Sequence, residues 1–242
     1  MTAELSLILA LVVPLVGAGF VAALSHYPNQ REAATIITAT TLLVVILTLL
    51  EPVLAGQRPE LILWEILPGI SLGLQAEPLG MVFALVASSL WIVTSVYAIG
   101  YMRGHHERNQ TRFFLFFAIA ISGAVGVALS ANILTLFIFY EILTLSTYPL
   151  VTHHGTDEAR RGGRTYLSIL LFTSITFLLF AVIWTWSVAG TLDFQIGGIL
   201  ENKLNAGAFA ILFTLYIFGI GKAALMPFHR WLPAAMVAPT PV

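Results

Sequence analysis

One apolar stretch constrains the fold more than any other feature, and it reads FFLFFAIAISGAVGVALSANILTLFIFYEILTLSTYPLV over residues 113–151. A helix rises about 1.5 Å per residue, so it crosses a membrane core of about 30 Å in about 20 residues. The stretch has about 39 residues and therefore suits two spans. The polar tripeptide Ser130-Ala131-Asn132 marks the turn between them, which places Glu141 halfway along the second span, Asn132–Val151.

The composition indicates a polytopic membrane protein. Hydrophobic residues make up 58% of the chain and charged residues 10%, whereas soluble domains carry about 25% charged residues. The net charge of −1 argues against nucleic acid as a partner. Absence of cysteine excludes disulfides, zinc–thiolate sites and protein-held iron–sulfur clusters. No Lys or Arg precedes the first apolar run, so we expect the first helix to be retained rather than cleaved as a signal peptide.

Apolar segments of sufficient length predict seven spans, in an all-α polytopic transmembrane helical bundle. They are Leu5–Leu24, Ala33–Leu54, Leu79–Tyr101, the two halves of residues 113–151, Tyr166–Val188 and Ala206–Leu225. Between the second and third spans, ILWEIL and ISLGLQ are short and bounded by Gly and Pro, which predicts an extracytoplasmic hairpin near residues 55–78.

Basic residues predict the orientation, because cytoplasmic loops carry an excess of Lys and Arg. Eight loop cations fall on one side of the seven-span arrangement and two, Arg58 and Lys203, on the other. The eight are Arg31, Arg103, Arg108, Arg112, Arg160, Arg161, Arg164 and Arg230. The chain is therefore predicted to be a multi-pass protein of the cell (inner) membrane. Its N-terminus is predicted to lie on the extracytoplasmic side.

Glu141 and Lys222 are the two ionisable residues inside predicted hydrocarbon. A carboxyl group at mid-membrane costs roughly 3 kcal/mol on insertion scales, and an isolated buried charge costs more than a paired one. Mutual attraction could keep both residues charged, and a lysine separated from its partner by a movement would release its proton more readily. A glutamate–lysine pair with these properties is suited to relaying protons. The alternative is a fixed ion pair that specifies helix packing.

The surroundings of Lys222 favour an ion path. Its segment reads GIGKAALMP, and Pro227 removes a backbone hydrogen bond about one turn after the lysine. Interrupted helices at membrane depth are tolerated where they line a cavity or the protein interior. The next sixteen residues, from Pro227, contain four prolines, which excludes a straight helix.

Further candidates for a proton path flank these two residues. His229 lies at the predicted membrane edge, and imidazole titrates near neutral pH; an interfacial hydrogen-bonding role is equally open. His153 and His154 follow the Glu141 span and are candidates to feed protons inward, or simply a wetted helix end. Tyr148 lies within two turns of Glu141, where its hydroxyl could order water, although packing is the simpler interpretation.

Two segments resemble a known family. GKAALMPFHRWLPAAMVAPTPV is similar to the signature around the broken seventh helix of proton-translocating antiporter-like membrane subunits, and FYEILTLSTYPLV resembles the segment around that family's membrane glutamate. The family includes the large subunits of Mrp-type cation/proton antiporters, respiratory NADH:quinone oxidoreductases and membrane-bound hydrogenases. Within it, the style of THHGTDEARRGGRTYL looks most like the D-type large component of Mrp antiporters.

The resemblance implies roles by position. Glu141 matches the family's membrane glutamate and Lys222 the lysine of its broken helix, the pair whose separation drives proton release; His229 matches the histidine of the PFH motif. Several positions depart from the pattern. Tyr140 stands where Trp is usual, Ala223 replaces the common Ser, and Met236 stands in place of His. Thr165 occupies a place often held by lysine; Arg164 is adjacent and is a further candidate for the proton path.

Length is the largest departure. Family members have about fourteen spans, so we expect this chain to be the front half of a longer protein, either truncated or encoded by a split gene. Residues 1–110 would form an N-terminal three-span region, and residues 111–242 the first, incomplete part of the translocating domain.

The sequence thus predicts a proton-translocating subunit of a multisubunit monovalent cation (Na⁺)/H⁺ antiporter. Its partners would be other membrane subunits, protons, Na⁺ and the lipid bilayer. No metal or redox cofactor is expected, because ligands for one are absent from the motifs found. Two alternatives remain open at this stage: a proton-pumping subunit of a redox-driven complex, and a structural membrane subunit.

Overall fold

The structure, a computed structural model, describes residues 2–67 and 70–242. Its helices and strands follow one another as α1 (Ala3–Ala23), α2 (Pro28–Leu54), β1 (Glu60–Leu67), β2 (Ile70–Gln75), α3 (Pro78–Gly104), α4 (Gln110–Ala128), α5 (Ile133–Val151), α6 (Asp157–Thr173), a π-helical segment (Ser174–Leu179), α7 (Phe180–Ala189), α8 (Ala206–Gly219), two 3₁₀ turns (Gly221–Ala223 and Phe228–Arg230) and α9 (Trp231–Ala235).

Among the described residues, six helices are long and apolar enough to cross a membrane. They are α1 to α5 and the continuous helix Asp157–Ala189, which joins α6, the π-helical segment and α7. The seventh predicted span is the shorter helix α8, of 14 residues. The protein is therefore a multi-pass helical membrane protein, and the fold class predicted from the sequence is confirmed.

Three predicted boundaries need correction. The second span begins at Pro28, not Ala33, because proline suits the first position of a helix. The sixth begins at Asp157, not Tyr166: the Thr156 side chain caps it, and two acids in its first turn complement the helix dipole. Polar residues thus continue an apolar helix beyond the expected hydrocarbon. The seventh helix ends at Gly219 rather than Leu225.

The N-terminal helices share one core. Leu7, Leu42, Ile46, Met81 and Val125 are fully or almost fully buried where α1, α2, α3 and α4 meet. The opposite faces carry large exposed hydrophobic residues, as expected of helices in lipid, where no polar outer face is needed. This arrangement leaves α5, α6 and the C-terminal segment to form the candidate site.

The strands β1 and β2 form an antiparallel hairpin that packs on the turn between α4 and α5. Asn132 makes this junction: its Oδ1 accepts a hydrogen bond from Thr135 N at 2.8 Å and so caps α5, and its Nδ2 donates to Ser71 O at 2.8 Å. Thr135 Oγ1 in turn accepts from Gly73 N at 3.1 Å. The hairpin therefore fixes the start of the helix that carries Glu141.

Candidate functional site

The interruption after α8 is the structural centre of the site. Gly221–Ala223 form one 3₁₀ turn, and Ala224 adopts a left-handed conformation with φ of 51°. The break packs against the π-helical segment of the sixth span. A Cβ atom on Gly219 would lie 2.6 Å from Leu178 N, and one on Gly221 would collide with Thr173 Oγ1. Glycine at both positions lets the broken helix approach its neighbour closely.

Lys222 is held by Tyr140 of α5. The ammonium Nζ donates to Tyr140 O at 3.3 Å and lies 4.4 Å from the centroid of the Tyr140 ring. The backbone N of Lys222 donates to Tyr140 Oη at 3.1 Å. On the other side of the turn, Trp231 Nε1 donates to Gly221 O at 2.9 Å. Aromatic residues thus hold the interrupted backbone from both directions.

Glu141 follows Tyr140 along α5 and is half-buried. Its Oε1 atom is buried and has no hydrogen-bond partner among the described residues. Ser174, the first residue of the π-helical segment, lies near this carboxyl group, and its hydroxyl donates to Leu171 O at 3.3 Å. A buried carboxylate oxygen without a partner is costly. Such a group is suited to binding a proton or a water molecule.

Glu141 and Lys222 are neighbours without a direct ion pair in this structure. Among the described residues, Glu32 pairs with Arg31 and Arg103, and Glu107 lies within 4 Å of two histidines, whereas no such contact joins Glu141 and Lys222. Tyr140 instead links the two residues, because it directly precedes Glu141 in the sequence and contacts Lys222. The two ionisable groups therefore share one site while each remains available to another partner.

The other sequence-predicted residues differ in their contacts and in their exposure. Tyr148 packs near Gly163 of α6 and is partly buried. His229 and Arg164 are both exposed. Neither of these two forms a side-chain hydrogen bond within the described part of the chain. The structure thus gives Tyr148 a packing contact and leaves His229 and Arg164 on the surface.

The two histidines after α5 meet Glu107 of the α3–α4 loop, a residue that the sequence had not singled out. Glu107 Oε1 lies 3.3 Å from His154 Nε2, and Glu107 Oε2 lies 3.8 Å from His153 Nε2. His154 Nδ1 is also 3.2 Å from Val237 O. Only a doubly protonated ring donates to both of these acceptors. His154 therefore links two loops and the segment after the broken helix.

His153 provides a test by pH. Its side chain is 1% exposed, and burial, reinforced by the nearby Arg112 guanidinium, lowers the pKa of His153 below its ordinary value. The unfolded chain then binds a proton more readily than the folded one as the pH falls below about 6.5, so folding stability falls over that range. We expect the His153→Gln protein to lose less thermal stability than wild type between pH 7.5 and pH 5.5.

Thermal unfolding of the purified protein in detergent, followed at both pH values, measures this difference. His26→Gln is the control, since His26 is exposed in the α1–α2 turn. The thermal stability of this variant should change between the two pH values by as much as that of wild type. Equal acid sensitivity in wild type and His153→Gln would contradict the assignment.

Sequence reasoning missed the contacts that tie these residues together. Tyr140 was noted only as a departure from a family pattern, and that departure was the available signal. The π-helical segment carries no marker of its own, although wide turns of this kind often occur at functional sites. Glu107 lies in the charged segment RGHHER, residues 103–108, and nothing in the sequence indicates its histidine partners.

Comparisons with known proteins agree with this architecture. Residues 130–242 match the family described as NADH:quinone oxidoreductase/Mrp antiporter, TM, and residues 68–114 match NADH-Ubiquinone oxidoreductase (complex I), chain 5 N-terminus. The "Putative antiporter subunit mnhA2" of Staphylococcus aureus (strain MSSA476) is 30% identical over 176 residues, which cover 72% of this chain and 22% of that relative. The chain thus spans about a fifth of the length of the curated relatives it matches.

Two solved structures share the fold. A chain of the membrane-bound sulfane sulfur reductase (MBS), an archaeal respiratory membrane complex, superposes with a TM-score of 0.83 at 23% identity, covering 98% of this chain and 49% of that one. A chain of the Mrp complex from Dietzia sp. DQ12-45-1b gives a TM-score of 0.79 at 24% identity, covering 97% and 44%.

Fold and site together define a multi-pass helical membrane protein with an interrupted helix beside a half-buried acid. The chain belongs to the family of antiporter-like membrane subunits shared by Mrp antiporters and NADH:quinone oxidoreductases. This confirms the family suggested by the two motifs. The finer likeness to the D-type component of Mrp antiporters stays a prediction.

Proposed function

We propose that this chain is part of a proton-translocating subunit of a multisubunit monovalent cation/proton antiporter, with Na⁺ as the cation. Protons move through a relay formed by Glu141 and Lys222. The observation that carries the proposal is the position of Lys222 on an interrupted helix, held by Tyr140 beside Glu141 and not locked to it. A relay needs a lysine that can change partners, whereas a packing ion pair needs direct and lasting contact.

The surroundings of the pair supply the other requirements of a relay. Ser174 and Thr173 are completely buried polar residues at the π-helical segment that faces the break. Thr144 is also completely buried, and its hydroxyl donates to Tyr140 O at 2.9 Å. Hydroxyl groups at this depth can hydrogen-bond to water or to a protonated carboxyl group. They support passage of a proton through a region that is otherwise apolar.

Proton uptake is proposed to begin at the cluster formed by Glu107, His153 and His154. The cluster lies at the end of α5, the helix that also carries Glu141. His154 Nε2 and Glu107 Oε1 lie 3.3 Å apart, so an imidazole and a carboxyl group are within hydrogen-bonding distance of each other at this end of the helix. Tyr148 would lie on the way inward from these residues. Exposed His229 and Arg164 would act near the cytoplasmic surface.

The chain is proposed to lie in the cell membrane and to consist of two regions. The distribution of basic residues predicted from the sequence, eight on one side and two on the other, supports a cell-membrane protein with an extracytoplasmic N-terminus. The hairpin, the α4–α5 turn and the α7–α8 loop meet at the opposite end, since Asn132 contacts both Ser71 and, through a β-bridge, Asp193. Residues 1–110 and 111–242 would be a three-span region and the first part of the translocating domain. Other membrane subunits would complete the path.

A second candidate function is proton pumping in a redox-driven complex. It is favoured by the family match that names NADH:quinone oxidoreductase and by the similarity to a chain of an archaeal respiratory complex. The same relay would serve both functions, and the energy source would come from neighbouring subunits.

Everted vesicles from native membranes distinguish these possibilities with a pH-sensitive dye. After respiration has acidified the lumen, sodium should collapse the gradient in wild type, and Glu141→Gln should slow this collapse about tenfold, because the relay loses its charged partner. Glu201→Gln is the control, as this acid is exposed in the α7–α8 loop. If sodium has no effect and Glu141→Gln instead generates a smaller gradient from its electron donor, the redox-driven function replaces the antiporter.

The purely structural alternative makes a different prediction. It requires that Glu141→Gln vesicles behave like wild type while the complex stays assembled. That result would remove the relay from the proposal.

A further inference from the structure

Tyr140 contacts Lys222 through all three of its chemical groups. Its phenol oxygen accepts from the backbone N of Lys222 at 3.1 Å, its carbonyl accepts from Nζ at 3.3 Å, and its ring centroid lies 4.4 Å from Nζ. The tyrosine is 7% exposed, so these contacts are shielded from solvent. One buried residue therefore contacts both the backbone N–H and the side-chain ammonium group of Lys222.

The contact with the backbone matters because the chain around Lys222 is not helical. Ile220 ends α8 with ψ of 68°, and Ala224 lies in the left-handed region. Hydrogen bonds within the turn are donated by Ala223 and Ala224, whereas the N–H of Lys222 has the Tyr140 hydroxyl as its partner. A buried N–H without a partner is costly. The phenol thus compensates for the interruption of the helix at this residue.

The contact with the ammonium group is electrostatic and separate from the first. The face of an aromatic ring attracts a cation within about 6 Å of its centroid. The Tyr140 carbonyl adds a hydrogen-bond acceptor, which it shares with the Thr144 hydroxyl at 2.9 Å. The ring and the carbonyl of Tyr140 together bind the ammonium group at a position other than the Glu141 carboxylate.

We infer that Tyr140 is a positioning residue that holds Lys222 next to Glu141 without an ion pair, its hydroxyl fixing the interrupted backbone and its ring and carbonyl holding the ammonium group. This inference rests on the proposed relay function. It also gives the phenol a role that an indole cannot fill, because the indole N–H only donates and cannot accept the N–H of Lys222.

Three substitutions separate the roles of hydroxyl and ring. Tyr140→Phe keeps the ring and the carbonyl, so we expect the maximal rate of proton transport to fall about 3- to 10-fold with an unchanged pH profile. Tyr140→Trp should show the same fall, since it also lacks the acceptor. Tyr140→Leu removes the ring, and the pH of half-maximal transport should move to lower pH by about half a unit to one unit, because the ammonium form loses a stabilising contact.

Tyr216→Phe is the matched control. Tyr216 lies on the same broken helix and its hydroxyl is 2.8 Å from Thr185 Oγ1, on a different neighbour from the Lys222 site. The substitution therefore removes one hydroxyl group, with its contacts to Thr185 Oγ1 and Ala181 O, from the same helix without touching Lys222. Transport by the Tyr216→Phe protein should remain close to the wild-type rate, with a wild-type pH profile.

The measurement is proton transport in native membrane vesicles over a range of pH, normalised to the amount of assembled complex, with Glu141→Gln included.

Wild-type rates and pH profiles in all the Tyr140 variants would overturn the positioning role, and would leave the relay intact if Glu141→Gln is still impaired. An equal loss in Tyr216→Phe would also overturn it, since general loosening of the helix would then explain the effect. Where Tyr140→Leu does not accumulate, Tyr140→Phe decides alone. Unimpaired Glu141→Gln overturns the relay itself.

Discussion

Replacing Lys222 by methionine should reduce proton transport to background, a loss on the order of 100-fold, while the complex still assembles. The expected size follows from removing the group that accepts and releases the proton, since a positioned acid–base group contributes about 10²–10⁴-fold to a proton-transfer step. Assembly should survive because methionine has a similar length and is well accepted in apolar surroundings. The Tyr140 carbonyl that loses Nζ keeps the Thr144 hydroxyl as a donor.

Lys203→Met is the control for this prediction. Lys203 Nζ also donates to a backbone carbonyl, Ala189 O at 3.0 Å, but it does so from an exposed position in the α7–α8 loop. Its replacement removes the same functional group without affecting the interrupted helix. Transport is measured in vesicles that contain equal amounts of complex. Near-normal transport by the Lys222→Met protein would show that protons do not pass through Lys222.

Local features of the structure could be predicted from the sequence because their causes lie within a few residues. The turn at residues 130–132 is an example: Asn132 is polar between two apolar runs, and its side chain caps α5. The interruption near Lys222 was expected from GIGKAALMP, and the extended pieces between α2 and α3 form the hairpin. Boundaries were less predictable where polar residues extend a helix, as at Asp157.

The contacts of the site could not be predicted, because they join residues that are far apart in sequence. Tyr140 and Lys222 are separated by 82 residues, and His154 and Val237 by 83. Periodicity and composition describe one segment at a time and contain no information about such pairs. The sequence therefore identified Glu141 and Lys222 as chemically unusual, but it indicated neither the role of Tyr140 nor the part of Glu107 in the histidine cluster.

Substituting alanine for Gly219 should destabilise the protein at the point where the broken helix meets the sixth span. The added Cβ would lie 2.6 Å from Leu178 N and 2.8 Å from Leu178 Cα. These are backbone atoms and cannot move aside as a flexible side chain could. Overpacking typically costs about 1–3 kcal/mol, and we expect the apparent melting temperature in detergent to fall by about 5 °C or more, with a parallel loss of transport.

Gly207→Ala is the matched control, because Gly207 lies at the start of the same helix, α8. A Cβ there would meet Asn205 Oδ1 at 3.6 Å, an ordinary contact. Alanine also favours the helical conformation more than glycine does, so this variant should melt at or above the temperature of wild type. Melting followed by size-exclusion chromatography or tryptophan fluorescence measures both proteins. Equal stability of the two variants would mean that α8 and the π-helical segment are not in close contact, and the geometry that places Lys222 beside Tyr140 would then lose its main support.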